Sequence, residues 1–211
     1  MILLFQTAAA IFLILVVAEV LWRAKLLEAE HSRKLVHIVV GTFAASWAFY
    51  MNDQQIVLLA GAMFLVVVIS RLLGIFSSIH SVKRKTWGEL FFPVGIALSA
   101  LLTDSPWIFL AAILHVSLAD GLAAVVGRRY VRTHGYKVLG QQKTLVGSLA
   151  FFNASLFIVI SIVLLVPELQ FIPIVLLLVP ALATAAENLG LYGSDDLLVP
   201  LIVTVLLTAT L

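Results

Sequence analysis

The chain has 211 residues, of which 63% are hydrophobic and 11% are charged, with a net charge of +2. Soluble globular proteins are typically about 45–50% apolar and about 25% charged, so this composition excludes an ordinary soluble domain, a disordered chain and a fibrous repeat. The sequence contains no cysteine, which excludes disulfides, thiolate metal sites and cysteine nucleophiles within it. We therefore predict an all-α, polytopic transmembrane bundle that forms a single integral-membrane domain over residues 1–211.

A transmembrane helix needs roughly 20 apolar residues, with a range of about 17–25. The first apolar segment has no basic stretch before it and is too long for the core of a signal peptide, so it is predicted to be a span. On these criteria the sequence predicts about eight spans, with seven or nine left open, at residues 3–22, 35–51, 56–73, 90–103, 107–126, 145–166, 171–186 and 197–211.

The segments between the predicted spans alternate in charge. The short turns hold no Lys or Arg, and all 13 of these residues lie in or next to four long polar segments, at 23–34, 74–89, 127–144 and 187–196. By the positive-inside rule, the long segments are predicted to be cytoplasmic and both termini to lie outside. Polar residues that could take part in a reaction lie at or near the predicted cytoplasmic ends of the spans. This placement favours a reaction between a cytosolic solute and a lipid over a pore, since a pore needs polar residues across the midplane.

The start of the second predicted span carries a cluster of cations. Arg33, His37 and Gly41 share one helix face, because residues four apart stack, and Lys34 lies beside them. Two cations and an imidazole at a helix start suit an anion, which the first-turn N–H groups and the helix dipole also favour. The alternative is a basic flank that anchors the span to lipid headgroups. It would account for Arg33 and Lys34 but not for His37, one turn inside.

The fifth predicted span carries a carboxylate, Asp120. A carboxylate in an apolar span is costly unless it is paired or binds a metal, so Asp120 is a candidate metal ligand, with a salt bridge to a nearby Arg as the alternative. Ala124 and Gly127 lie on the same stripe and would allow the close approach of another helix or a ligand. His115, in the middle of this span, is predicted to be a buried packing or hydrogen-bonding residue.

Lys143 and Thr144 precede the sixth predicted span, and Gly147 and Ser148 follow within one turn. A point charge, a hydroxyl and an exposed helix N-terminus suit a phosphate. The segment 140–144 is not a Walker A loop, because it lacks the Gly-x-x-x-x-Gly-Lys spacing and no strand is predicted before it. A soluble P-loop kinase is therefore excluded.

Carboxylates gather around a glycine-rich turn between the last two predicted spans. Glu187, Asp195 and Asp196 lie within ten residues with few cations among them, a pattern that suits Mg²⁺ held together with substrate phosphates. A solvated loop with a helix N-cap at Asp195 or Asp196 explains the pattern equally well. Glu89, at the mouth of the fourth predicted span, is a further candidate ligand or general base. The basic run 83–85 before it is typical of a headgroup anchor.

Taken in order, these residues resemble the motifs of the CTP-dependent lipid kinase family, which includes dolichol kinase, phytol and farnesol kinases and the yeast-type diacylglycerol kinase. This chain departs from the family's usual pattern at Val146, where the family has Glu, and at Asp195-Asp196, where it has Asp-Asn. The matching pieces are Arg33-Lys34 with His37 and Gly41; Gly88-Glu89 with Phe92-Pro93 and Gly95; Asp120-Gly121 with Ala123, Ala124 and Gly127; Lys143-Thr144 with Gly147-Ser148; and Glu187 with Asp195 and Pro200.

The resemblance implies phosphoryl transfer from CTP, with ATP not excluded, to the hydroxyl of a polyprenol, another isoprenoid alcohol or diacylglycerol, with Mg²⁺ as cofactor. Asp120 would be the main Mg²⁺ ligand, with Asp195 or Asp196 as its partner. Glu89 or Glu187 would accept the hydroxyl proton or hold a second ion. The catalytic set would then include Lys143, and the residues around the triphosphate would be Arg33, Lys34, His37, Gly127, Thr144, Gly147 and Ser148.

Two other functions stay open at this point. The order of Asp, Lys-Thr and Asp also resembles the phosphatidate cytidylyltransferases, although those enzymes carry a longer and more basic signature around the lysine. A non-enzymatic transporter of an anionic lipid would need polar residues deep in several spans and an internal repeat, and the sequence shows neither. The predicted partners are a membrane lipid alcohol and a nucleoside triphosphate, not a nucleic acid. A homodimer is compatible with the sequence, and the sequence does not identify the alcohol.

Overall fold

The computed structural model describes residues 1–27, 29–76, 86–166 and 172–210. The predicted basic anchor at 83–85 lies outside the described residues. Helices occupy all eight predicted apolar positions, and one short helix and a two-stranded hairpin lie between them. The elements are α1 Ile2–Arg23, α2 Ala29–Ala45, α3 Asp53–Leu73, α4 Gly88–Leu102, α5 Pro106–Leu114, α6 Asp120–Arg129, α7 Val131–His134, β1 Gly135–Val138, β2 Gln141–Thr144, α8 Leu145–Leu165, α9 Val175–Leu189 and α10 Asp195–Ala209.

Within the described part of the chain, four helical segments are long and apolar enough to cross a membrane: Ile2–Arg23, Asp53–Leu73, Pro106–Arg129 and Leu145–Leu165. Gly88–Leu102 and Val175–Leu189 are apolar but shorter. The mainly helical membrane architecture agrees with the prediction. The number of crossings and the outside position of both termini stay predictions.

A π-helical turn at His115–Ala119 joins α5 to α6 within one continuous segment. Such turns are rare inside helices and are frequent at functional sites. His115 is fully buried; its Nδ1 donates to the Ala111 carbonyl at 2.7 Å, and its Nε2 lies 2.8 Å from the Ser155 hydroxyl on α8. The prediction of a buried, hydrogen-bonded histidine is confirmed, and it fixes the turn that immediately precedes Asp120.

The hairpin β1–β2 corrects the prediction that no strand precedes Lys143, which lies on β2. Val138 pairs with Gln141, so Leu139 and Gly140 form a two-residue turn. Both have positive φ, +49° and +82°, as a type I′ turn requires. The sequence offered only Gly140 as a signal, without the Asn-Gly or Asp-Gly pair that marks such turns most clearly.

Small residues let the helices approach closely beside the predicted motifs. A Cβ on Gly95 of α4 would lie 2.7 Å from the Asp196 carbonyl oxygen and 3.1 Å from the Pro200 ring on α10. A Cβ on Gly121 of α6 would collide with Ile38 of α2. These contacts bring α2, α4, α6 and α10 together at the end of the bundle where α6 and α10 begin.

Candidate active site

Side chains from five separate elements meet at this end of the bundle: Lys34 and His37 on α2, Asp120 on α6, Lys143 on β2, Glu187 on α9, and Asp195 and Asp196 on α10. We call this set the charged cluster. Its members are buried or half-buried. Buried charges are costly unless they are paired, and most members of the cluster form such pairs.

Asp120 lies at the centre of the charged cluster and is only 5% exposed. The Lys34 ammonium, also buried, donates to its Oδ2. The alternative of a salt bridge is therefore realised, but with Lys34 rather than an Arg. A pairing across 86 residues of sequence could not be read from helix periodicity.

Arg33 and Lys34 do not lie at the start of α2, where the sequence predicted them. The helix begins at Ala29, so Arg33 and Lys34 lie beyond its first turn, and the prediction that they flank a helix start is wrong. The mostly polar segment 29–34 extends the helix ahead of the apolar stretch that marked the predicted span. Both side chains are buried, which also argues against a headgroup anchor.

His37 links two carboxylates. Its Nε2 lies 3.4 Å from Asp196 Oδ1 and 4.0 Å from Asp120 Oδ2. The same nitrogen donates at 2.8 Å to the carbonyl of Val116 in the π-helical turn. Because Nε2 carries the donated proton, it has no lone pair for a metal ion. His37 is therefore suited to orienting the acids rather than to ligating a metal through Nε2.

Three carboxylates form a group that fits a divalent cation. One oxygen each of Asp120, Glu187 and Asp195 lies within 4.8 Å of the other two. Mg²⁺ prefers oxygen ligands and is commonly held by one or two carboxylates together with substrate phosphates. This donor set fits Mg²⁺ better than the neighbouring group of His37, Asp120 and Asp196, because His37 Nε2 is already a donor.

Lys143 closes the charged cluster from the hairpin. Its ammonium donates to the Glu187 carboxylate at 2.5 Å and to the Glu187 carbonyl at 2.7 Å. Burial disfavours the charged form of Lys143, but the carboxylates of Glu187 and Asp195 outweigh it and hold the pKa of Lys143 above its usual value. Lys143 is thus a fixed cation at neutral pH.

Thr144, Gly147 and Gly127 shape the approach to Lys143. The Thr144 hydroxyl accepts from the Gly147 amide at 3.0 Å and caps α8. A Cβ on Gly127 would lie 2.7 Å from the same hydroxyl and 3.3 Å from Gly147 Cα. These glycines therefore allow α6 and α8 to cross in close contact, as the stripe of small residues predicted. Direct contact of Gly127, Gly147 or Thr144 with a nucleotide stays a prediction.

A hydroxyl network behind Lys143 was not predicted. Tyr136, the cross-strand partner of Lys143, donates to Asn188 Oδ1 at 2.5 Å and lies 2.7 Å from the Ser148 hydroxyl. Ser148 also donates to Asn188 Oδ1, at 3.0 Å. Ser148 was predicted to line the nucleotide site, and the structure places it in this network. If the hairpin had been recognised in the sequence, the pairing of β1 with β2 would have placed Tyr136 opposite Lys143.

The turn between α9 and α10 packs with one side against the start of α4, while Leu191 and Tyr192 are exposed. Gly193, with φ of +91°, lies against Gly88 at the start of α4, and the Trp87 amide donates to the Tyr192 carbonyl at 2.7 Å. The Asp196 carboxylate occupies the space beside Gly88 that a Cβ would need. Ser194 precedes α10 and Asp196 is buried. A solvated loop with Asp195 or Asp196 as N-cap is therefore not what forms.

Glu89 stands apart from both carboxylate groups found among the described residues. Its Oε1 lies 3.5 Å from Arg71 Nη1, and the Arg71 guanidinium stacks over the Trp87 ring with its carbon 4.3 Å from the centroid. Glu89 and Arg33 instead line an apolar cavity that His37 also borders. The structure thus divides the ionisable residues among the predicted site residues between the charged cluster and the edge of this cavity.

Comparison with known proteins identifies the family of this chain. No protein-family model matches the chain, and no solved structure matches it. The phytol kinase of Synechocystis sp. (strain ATCC 27184 / PCC 6803 / Kazusa) is 34% identical over 195 residues, which cover 89% of this chain and 82% of that protein. Identity at this level over most of both chains shows a common family. The chain therefore belongs to the lipid kinase family whose motifs its sequence resembles, the family that includes phytol kinase.

Proposed function

We propose that this protein transfers the γ-phosphoryl group of a nucleoside triphosphate to the hydroxyl of a long-chain isoprenoid alcohol of the phytol class. The observation that carries the proposal is the charged cluster, in which Asp120, Glu187 and Asp195 converge between Lys34 and Lys143. Lipid kinase activity follows from family membership. The donor, the acceptor and the membrane side are the proposed part.

The ion pairs of the charged cluster support a nucleotide site. Phosphoryl transfer is mainly positioning and charge stabilisation, so the site must supply cations for the phosphates and carboxylates for a metal ion. In the Lys34–Asp120 and Lys143–Glu187 pairs these groups neutralise each other. On binding of a magnesium–nucleotide complex, both lysines would turn to phosphate oxygens while both acids become free for the cation. The buried charges then exchange partners and none is left unpaired.

Asp120, Glu187 and Asp195 would hold Mg²⁺, which when bound neutralises charge on the phosphates. His37 would keep Asp120 and Asp196 in place through its position 3.4–4.0 Å from their oxygens. The Val116 carbonyl fixes the imidazole in turn. These contacts pre-organise the acids before the nucleotide arrives, which reduces the reorganisation required during the reaction.

In the transfer itself, the alcohol oxygen attacks the γ-phosphorus and forms the new O–P bond. The bond from the γ-phosphorus to the bridging β,γ-oxygen breaks, and the nucleoside diphosphate leaves with that electron pair. Glu89, which borders the cavity beside His37, would accept the hydroxyl proton as general base. The products are a lipid monophosphate, a nucleoside diphosphate and one proton.

We propose CTP as the donor and the cytoplasmic face as the side of reaction. The family resemblance supports CTP over ATP. The side is supported by the charge bias of the sequence, because most residues of the charged cluster lie in or next to the long segments that carry the Lys and Arg residues, and the short turns carry none.

The test uses the purified full-length chain with Mg²⁺ and either CTP or ATP. The acceptor panel is phytol, geranylgeraniol, dolichol and diacylglycerol. We expect nucleoside diphosphate and lipid monophosphate in equal amounts, formed from an isoprenoid alcohol and faster with CTP. Phosphatidate is included because a cytidylyltransferase would release pyrophosphate with it. That result, or no turnover with any alcohol, would contradict the proposal.

A further inference from the structure

An apolar cavity of about 140 Å³ lies among α1, α2, α3 and α4, next to the charged cluster. Most of its walls come from α1 and α3, which contribute only hydrophobic side chains. Arg33, His37 and Glu89 are its ionisable lining residues. The residues that line it are Ala8, Ile11, Phe12, Leu15, Arg33, Val36, His37, Val40, Leu59, Ala62, Met63, Val66, Val67, Glu89, Phe92 and Pro93.

The polar lining is confined to one end. Arg33 and His37 are one turn apart on α2, and Glu89 lies in the first turn of α4. The apolar walls extend away from them along α1 and α3. A cavity that is polar at one end and hydrophobic along its length matches a molecule with a single hydroxyl on a hydrocarbon chain.

His37 is part of both the charged cluster and the cavity wall. Its Nε2 lies 3.4 Å from Asp196 Oδ1 in the charged cluster, and its ring packs against Phe92 of the cavity wall with centroids 4.4 Å apart. A hydroxyl at the polar end of the cavity would therefore lie one imidazole away from the acids of the charged cluster. Phosphoryl transfer needs this proximity of acceptor and donor sites.

Part of the cavity lies at the outer surface of the helices. Phe12 on α1 and Val66 on α3 line the cavity, yet they are 57% and 41% exposed. Ala8 and Ala62, on the same two helices, line it with small side chains and are also exposed. Because α1 and α3 are both long and apolar enough to cross a membrane, this opening faces lipid.

We propose that this cavity is the acceptor site, which takes the hydroxyl end of a single-chain isoprenoid alcohol at Glu89 and His37 and lets the chain leave between α1 and α3 into the bilayer. The inference rests on the proposed function and adds the location and the shape of its substrate. A dry cavity of about 150 Å³ admits a molecule the size of benzene. A cavity of this volume takes one branched chain beside the hydroxyl, and we therefore expect it to bind a single-chain alcohol in preference to diacylglycerol.

The first experiment narrows the opening with Ala8→Trp and Ala62→Trp. Each has a matched control at an exposed position of the same helix that does not line the cavity: Leu13→Trp on α1 and Leu65→Trp on α3. We expect the cavity variants to raise the KM for phytol at least about tenfold with an unchanged KM for the nucleotide, since only the alcohol is excluded. The controls should match the wild type.

The second experiment does not depend on turnover. A geranylgeraniol analogue with a photoreactive diazirine near the hydroxyl is irradiated with the protein in detergent micelles without nucleotide, and the labelled residues are mapped by mass spectrometry. We expect labels on α1 and α3 residues of the cavity, strong competition by phytol, little competition by diacylglycerol, and reduced labelling in Ala62→Trp but not in Leu65→Trp.

The outcomes separate the two proposals. Normal kinase activity with cavity variants equal to their controls, or labels scattered over the outer surface, would overturn the acceptor site and leave the proposed function standing. Labels in the cavity without phosphorylation of any alcohol would show that the cavity binds the alcohol and would overturn the proposed function, and with it the role of the cavity as an acceptor site. Equal competition by phytol and diacylglycerol would overturn the single-chain specificity.

Discussion

The charged cluster and the apolar cavity meet at His37 but are built in different ways. The charged cluster joins residues from α2, α6, β2, α9 and α10 through ion pairs and hydrogen bonds. The cavity is lined by neighbouring turns of α1 to α4 and has ionisable residues at one end. If the proposed assignment holds, the nucleotide site would be assembled from distant segments, while the acceptor site would use the faces of neighbouring apolar helices. Variants in the two regions should accordingly affect different substrates.

The largest effect is expected at the centre of the charged cluster. Asp120→Asn removes the charge that pairs with Lys34 and that would help to hold Mg²⁺. Losing one pre-organised electrostatic group of this kind costs on the order of 10²- to 10³-fold in kcat. Turnover is measured with the alcohol saturating. Asp104→Asn, at an exposed acid in the turn between α4 and α5, should keep wild-type rates; equal loss in both variants would refute the assignment.

A large effect on folding is expected where α6 crosses α8. Gly127→Val places a branched side chain where a Cβ already lies 2.7 Å from Thr144 Oγ1. Overpacking of this kind typically costs about 1–3 kcal/mol, so the thermal unfolding midpoint in detergent should fall. A Cβ on Gly61 of α3 meets nothing within 4 Å, and Gly61→Ala should leave the midpoint unchanged or raise it. An unchanged midpoint for Gly127→Val would show that the crossing is looser than described.

A moderate effect on the KM for the nucleotide, without an effect on the KM for the alcohol, is expected when the hydroxyl network next to Lys143 is altered. Tyr136→Phe removes the hydroxyl shared with Ser148 and Asn188. A hydrogen bond is worth about 0.5–1.5 kcal/mol, so the KM for the nucleotide should rise roughly 2- to 10-fold while the KM for the alcohol stays constant. Tyr50→Phe, whose hydroxyl contacts Ser46 in a different part of the chain, is the control. A change in the KM for the alcohol alone would contradict this role.

The smallest effect is the pH dependence of the stability that the pairing of Lys143 contributes. Nearby carboxylates raise the pKa of Lys143, so its pairing contributes stability that is fully present below the unfolded lysine pKa of about 10.4 and is lost as the pH rises through the higher folded value. The difference in unfolding midpoint between wild type and Lys143→Met should therefore stay constant from about pH 7 to pH 10. A difference that changes between about pH 7 and pH 9 would mean that the fold lowers the pKa of Lys143 instead of raising it.

The sequence predicted the apolar helices well and the contacts between them poorly. The lengths of the apolar segments located every helix from α1 to α10 except the short α7, because the burial of apolar residues decides where such helices lie. The pairing of Lys34 with Asp120 depends on tertiary approach across 86 residues. No periodicity encodes that approach.

Two local features escaped prediction for different reasons. The β1–β2 hairpin is too short for its alternation to outweigh the polar composition of the 127–144 segment. The π-helical turn before Asp120 has no composition signal of its own, although it supplies the carbonyl that holds His37. Chemical type alone identified Asp120, Lys143, Glu187 and Asp195 as candidates, because charged residues near apolar spans are costly without a partner.

The phosphorus atom of CTP that reaches the lipid decides whether the protein is the proposed kinase. Two parallel reactions contain the purified protein, Mg²⁺ and phytol, one with CTP labelled at the γ-phosphorus and one with CTP labelled at the α-phosphorus. We expect the γ-label in the lipid fraction, one per molecule of CDP released, and the α-label in solution. An α-label in the lipid, or no label there in either reaction, would contradict phosphoryl transfer to the alcohol.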